Sequence, residues 1–224
     1  MLITSMSGRI CQHPNIPLST HNELAFTLSE QQMLLVLGRS GEGKSTLANM
    51  LSGITKVEQA QSYINVNGAL NIDQIAPSCW HQHVVYLEQS NTLLAGSLGY
   101  NLALGLTKVN EEQIWEVLKI VELDDWANNL PKGLNTWLGE SGGQVSGGQA
   151  RRLCLARLLL RDPQLVILDE PFNGIDAEMA ARIWVNISQW LRGKMLVLFS
   201  HEQPSFVIDL PKMSVLNLGM KNTQ

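Results

Sequence analysis

The stretch MLLVLGRSGEGKSTLANMLSG, residues 33–53, decides the fold. Its first five residues are a short apolar run closed by Gly38, which reads as a buried strand. Its last ten, from Lys44 to Gly53, read as a helix with a glycine near its end. Between them GRSGEGKS fits G-x-x-x-x-G-K-[ST], and it lies where that motif has to lie, between strand and helix. Gly38, Gly41 and Gly43 let successive backbone N–H groups curl around phosphate oxygens where side chains would clash. The helix N-terminus adds the positive end of its dipole. Lys44 is then placed to reach β- and γ-phosphates and the Ser45 hydroxyl to ligate Mg2+, with Arg39, Ser40, Glu42 and Thr46 completing the nucleotide loop.

Working outward, LVILDE at 165–170 is an apolar strand ending in two acids. A carboxylate at the C-terminal edge of a strand beside a phosphate loop can hold Mg2+ through water, which assigns Asp169. Glu170 follows it, placed to polarise an attacking water as general base. MLVLFS at 195–200 is a further buried strand, and strands are expected over 62–68, 83–88 and 213–218. Helices are expected over 111–121, from near Ser146 through 161, and over 177–191. In the first of these Ile114, Val117, Leu118 and Val121 fall at i, i+3, i+4 and i+7. Strands alternating with helices imply an α/β fold with a mostly parallel sheet. The mainly helical stretch 91–160 breaks that alternation and is expected as a lobe inserted into a core of about 1–90 and 161–224, within one domain.

Composition narrows the partners. The 224 residues carry 20 acids and 16 bases, so a broad nucleic-acid face is excluded and no nucleic-acid partner is expected. Three widely spaced cysteines contain no C-x-x-C pair, which supports neither a disulfide framework nor a zinc site and favours a reduced compartment. No apolar run approaches the roughly 18–20 residues of a membrane span. Any membrane part is expected on another subunit or segment. His81 and His83 could share a strand face as metal ligands, but without further ligands nearby they read as surface histidines.

The run VSGGQARRLCLARLLL, 145–160, supplies a second anion site. Ser146 caps the coming helix, while Gly147 and Gly148 expose backbone N–H groups at its start. SGGQ occurs twice, at 141–144 and 146–149, and only the second copy runs directly into the long helix. Val145, Ser146, Gly147, Gly148 and Gln149 resemble the LSGGQ signature of ABC ATPases, with Val in place of Leu. Other positions of that family follow in order. Gln89 in VVYLEQ resembles the Q-loop glutamine, Asp176 in NGID the D-loop aspartate, and His201 in FSHE the switch histidine. The resemblance runs from about residue 10 to about 218. It implies the ABC type of P-loop NTPase fold: a mostly parallel core sheet, an antiparallel β edge and an inserted helical lobe. It also implies ATP and Mg2+ as ligands, Gln89 joining Ser45 and Asp169 near the metal, and Glu170 and His201 as the catalytic pair. The partners implied are a second ATPase domain, identical or not, whose ATP the signature clasps in trans, and transmembrane domains, fused or separate. That places the chain on the cytoplasmic face of the inner or plasma membrane.

TWLGESG at 136–142 resembles the TxVGExG segment of ABC exporters, which lies by the coupling helices of the membrane domain. SNTLLAGSLGYNLALG at 90–105 resembles the exporter pattern after the Q-loop. The run from GES through LDEP is most similar to the heterodimeric cysteine/glutathione exporters tied to cytochrome bd assembly. Three departures stand out. His13-Pro14 falls where exporters carry a Tyr-Pro whose ring stacks on adenine. Losing such a stack costs about 1–3 kcal/mol, so weak ATP affinity or other adenine contacts are expected. His13 is left two roles, stacking or a solvated loop position. Glu88 replaces a common Pro, and Phe172-Asn173 replace Thr-Ser or Thr-Ala. Two other readings compete. A soluble ABC ATPase acting as a mechanical switch usually carries tandem cassettes or coiled-coil insertions, which this chain lacks. A regulatory module with little turnover is suggested by the missing Tyr and opposed by Glu170 and His201.

Overall fold

Three apolar runs, Met33–Leu37 (β3), Leu165–Asp169 (β7) and Met195–Ser200 (β8), are buried along nearly their whole length. Continuous rather than alternating burial is what parallel strands covered on both faces require. In the computed structural model, which describes residues 2–11, 16, 23–57, 62–139, 145–205 and 212–218, they form the centre of a five-stranded sheet. With Val84–Leu87 (β6) and Met213–Asn217 (β9) its order is β6-β7-β8-β3-β9, every pair parallel. His13 and the first SGGQ copy, 141–144, lie outside the described residues, as does Glu140.

The chain divides into two compact units, one of Met1–Glu88, Pro163–Glu170 and Leu191–Gln224, the other of Gln89–Asp162 and Pro171–Trp190. Among the described residues, the first holds all the strands. Besides the parallel sheet it has an antiparallel sheet, order β2-β1-β4-β5, from Ser5–Cys11 (β1), Glu23–Ser29 (β2), Tyr63–Val66 (β4) and Leu70–Asn71 (β5). So the expected parallel sheet and antiparallel edge are both present. β1 and β2 alternate buried and exposed residues, and Gly8 sits opposite Phe26, where a Cβ would collide with the ring. One apolar core joins Met6, Ile10 and Phe26 of that sheet to Leu34, Val36, Ile167 and Val197 of the parallel sheet. The helix Lys44–Ser52 (α1) buries Leu47, Ala48, Met50 and Leu51 in it. α1 stops at Gly53, whose left-handed φ of 76° seats it against the buried Trp80, and that indole donates to the Leu51 carbonyl at 3.2 Å. Trp80 ends the one-turn helix Pro77–Trp80 (α2).

The second unit is helical: Leu98–Leu102 (α3), Glu111–Ile120 (α4), Asp124–Asn128 (α5), Gly147–Leu159 (α6) and Ala177–Trp190 (α7). α4 starts on an Asn110/Gln113 capping box and buries Ile114, Val117 and Leu118, the face its spacing predicted. Residues 171–190, expected within the core, group with this unit because α7 is tied to α4. Asn186 Nδ2 donates to the Ile120 carbonyl at 3.1 Å, and Arg182 pairs with Glu122. Buried Asn101 exchanges hydrogen bonds with the Leu94 backbone at 2.8 and 2.9 Å, and Arg157 on α6 donates to its carbonyl at 2.7 Å. These bonds fix the loop before α3.

Candidate nucleotide site

Parallel pairing decides where the chemistry gathers. β3 lies beside β8 and β8 beside β7, so all three strands end on one edge of the sheet, where α/β folds bind ligands. Gly38, Glu170 and His201 each follow one of those ends. Ladder bonds extend into the loops: Gly38 N–H donates to the Ser200 carbonyl at 3.2 Å and Glu170 N–H to the Phe199 carbonyl at 3.0 Å.

Lys44, almost fully buried, is the hub. Its ammonium donates to the carbonyls of Gly38 at 2.6 Å and Arg39 at 3.2 Å, and lies 3.2 Å from His201 Nδ1 and 3.5 Å from Glu170 Oε1. His201 Nε2 is 2.7 Å from that same carboxylate oxygen. One tautomer satisfies the ring on both sides. With the proton on Nε2, the imidazole donates to Glu170 while Nδ1 accepts from Lys44, whose three protons then meet three acceptors. Nδ1 also lies 3.1 Å from the Gly38 carbonyl, a contact that becomes a hydrogen bond only when that nitrogen carries a proton as well.

Asp169, buried at the end of β7, accepts from the Ser45 hydroxyl at 3.2 Å and, at a long 3.5 Å, from the Tyr86 hydroxyl. An alcohol and a carboxylate this close are hard oxygen donors of the kind Mg2+ takes, so the residues fit that ion. Glu42 staples the loop from within, accepting from the Arg39 N–H at 2.6 Å. Gly41 and Gly43 hold φ of 84° and 88°, and no side chain caps α1. Glu170 also has a positive φ, 49°, a conformation costing a non-glycine residue about 1–2 kcal/mol. Its amide and carboxylate contacts hold it there.

Gln89, Asp176 and Val145 to Gln149 belong to the second unit. Ser146 forms a full capping box with Gln149: its Oγ accepts from Gln149 N–H at 3.2 Å, and Gln149 Oε1 accepts from Ser146 N–H at 3.0 Å. Asp176 caps α7, accepting from Met179 N–H at 2.9 Å. Sequence reading missed Arg151. It is buried on α6 and donates from Nε to the Pro171 carbonyl at 3.1 Å and from Nη1 to Asn91 at 3.2 Å. Its signal was a charged residue on the apolar face of a helix. Among the described residues no group of three or more histidines, cysteines and acids is placed to hold a metal ion; His81 is exposed and His83 half-buried.

A glycine loop after β3, a histidine after the neighbouring β8 and an acid pair at the end of β7 define an ABC-type ATPase domain. The family model described as ABC transporter matches residues 21–173, and the chain belongs to that family. It is 33% identical over 190 residues to an export ATP-binding/permease protein of Rickettsia bellii, covering 84% of this chain and 32% of that protein. It is 30% identical over 203 residues to the multidrug resistance-like ATP-binding protein MdlB of Buchnera aphidicola subsp. Schizaphis graminum, covering 88% and 34%. The chain thus spans about a third of these relatives' length. The fold matches a bacterial Atm1-family ABC exporter solved with ATP bound, with a TM-score of 0.83 and 22% identity, covering 97% of this chain and 38% of that one.

Proposed function

We propose that this domain binds and hydrolyses Mg·ATP and, paired with a second ATPase domain, drives export through membrane-spanning domains. The observation that carries the reading is the knot of Lys44, Glu170 and His201, 2.7–3.5 Å apart, beside the Ser45–Asp169 pair. In this reading Lys44 turns from its loop carbonyls to the β- and γ-phosphates, and the amides of 39–46 cradle them. Ser45 and Asp169 would hold the magnesium ion, to which the resemblance also assigns Gln89, and the ion would supply neutralisation of phosphate charge. Glu170 takes the proton of the attacking water, and His201 aims that carboxylate and then contacts the γ-phosphate. ATP favours the closed dimer because Ser146 and the glycine N–H groups of the partner's signature add their contacts only there.

Export is supported by the names of the relatives and by a surface in the second unit. Trp137, Tyr100 and Leu94 are 58%, 51% and 39% exposed, and the strand-like pairing of Ser97 with Trp137 brings their segments together. Such a patch, rimmed by polar residues, suits a helix of a membrane domain on the cytoplasmic side. No helix among the described residues is long and apolar enough to cross a membrane itself. The resemblance of 139–171 to cysteine/glutathione exporters makes a small thiol the substrate to test first.

The test is a pair of variants in the complete protein. Glu170→Gln keeps ATP binding, loses turnover and accumulates ATP-bound dimer, whereas Lys44→Ala loses binding. Parent-like hydrolysis by Glu170→Gln would remove Glu170 as base, and unchanged ATP affinity in Lys44→Ala would overturn the loop assignment.

A further inference from the structure

We propose that Glu122, held by Arg152 and Arg182, is a positioning residue that fixes the signature turn of α6 against the loop 171–176 and thereby sets the rate of ATP turnover. It rests on the proposed function, and all its parts lie within the second unit.

The loop and the signature approach closely through backbone at Gly148 and Gly174. A Cβ on Gly148 would meet the Gly174 carbonyl oxygen at 3.0 Å, so neither segment can advance on the other without displacing it. The loop's first half is tied down twice. Arg151 donates to the Pro171 carbonyl, and the Phe172 ring packs edge-on against Trp184 of α7, with centroids 6.2 Å apart. That gives the unusual Phe172 a place, which sequence alone left open. The loop's far end passes into α7 through the Asp176 cap, so the loop moves with α7.

What then holds α7 against α6 on this side is Glu122, in the turn after α4. Arg182 of α7 forks onto its carboxylate, Nε to Oε1 at 2.8 Å and Nη2 to Oε2 at 2.9 Å, a bidentate pair with its own geometry. Arg152 of α6 grips the same residue's carbonyl at 2.6 Å and that of Val121 at 3.3 Å. One residue therefore receives α7 on its side chain and α6 on its backbone. Five charges crowd here, with Asp176 opposing Glu122 and attracting both arginines, and Glu178 pairing with Arg182 at 3.2 Å. The Arg182 hydrogen bond holds the Glu122 carboxyl below the usual range. Glu122 has a φ of 54°, where glycine would sit more easily. The backbone gains nothing from a glutamate there; the carboxylate is what the position supplies.

That backbone strain makes a clean test, because Glu122→Gly relieves it while removing the carboxylate that holds α7 and leaving the carbonyl that Arg152 grips. In the complete protein, Glu122→Gly and Arg182→Met keep the parent's melting temperature and KM for ATP. Amide exchange across 171–176 quickens, and kcat falls about tenfold, the scale of loss when reacting groups are slightly misplaced. Glu122→Gln, which keeps the shape and one weaker bond, loses less. Unchanged exchange in Glu122→Gly overturns the clamp, as does a kcat loss that follows thermal unfolding. Absence of ATP turnover in the parent would instead refute the proposed function, and the exchange measurement would still decide the clamp.

Discussion

Two helices of this molecule begin on glycine-rich turns, and they begin differently. α1 is entered through Gly43 at φ 88°, ψ 12°, with no side chain capping it. α6 is entered through Ser146 at φ −65°, ψ 157°, with both halves of a capping box formed. At α1 the glycines supply conformation: Gly41 and Gly43 are left-handed, and a Cβ on Gly41 would meet nothing within 4 Å. At α6 Gly148 supplies clearance, since it has an ordinary φ but lies against the Gly174 carbonyl. A helix end left uncapped keeps amide donors for a ligand, whereas a self-capped end is folded before any ligand arrives. The first is built to bind in its own chain, the second to present a finished surface.

The largest effect expected from this contrast is at Gly43. Gly43→Ala forces an ordinary residue into the left-handed region at about 1–2 kcal/mol and puts a methyl beside the phosphate amides. ATP affinity, measured by calorimetry, should fall at least about tenfold. Gly148→Ala should do the reverse. Its methyl displaces the 171–176 loop, so turnover falls about tenfold while ATP affinity holds. Equal losses of affinity in the two variants would erase the distinction between the two helix starts.

Much of this was legible because the signals are local. MLLVL before GRSGEGKS, LVILD before Glu170 and Ser146 before two glycines each name their element and its end within a few residues. The alternation of SMSGRIC and ELAFTLS was equally local, yet β1 and β2 were not read out of the 32 residues before β3. The meeting of Lys44, Glu170 and His201 could be named as an order of motifs but not as a geometry. Lys44 and His201 stand 157 residues apart, and only the strand order β7-β8-β3 brings them together. Glu122–Arg182 and Phe172–Trp184 were illegible for a different reason. Each is a pair of ordinary helix or turn residues whose meaning lies in the partner, and a single chain names no partners.

Ser146 sharpens the comparison at smaller scale. Ser146→Ala removes the cap and should destabilise the unit by about 1 kcal/mol, read from its melting temperature. Ser146→Asp keeps a capping oxygen but, in the proposed dimer, sets a negative charge facing the partner's phosphates. Stability should return while ATP-driven pairing is lost. A variant that regains stability and still pairs would mean that α6 presents no anion site.

The smallest effect lies further along α6, where the start of the helix gives way to core. Burial raises the Cys154 thiol above its ordinary value, against the opposing pull of Arg157 and Arg151. A raised folded value means that the thiol's contribution is present in full below the unfolded one, about pH 8.5. It is lost as pH rises through the higher folded one. The parent's melting temperature should therefore fall slightly more steeply with pH than that of Cys154→Ala in the alkaline range, the two slopes being equal near pH 7. In the folded protein at pH 7, Cys154 should also resist iodoacetamide while the partly exposed Cys11 and Cys79 react. Equal labelling of all three would mean that α6 opens readily, and then its self-capped start could not be the preformed surface that sets it apart from α1.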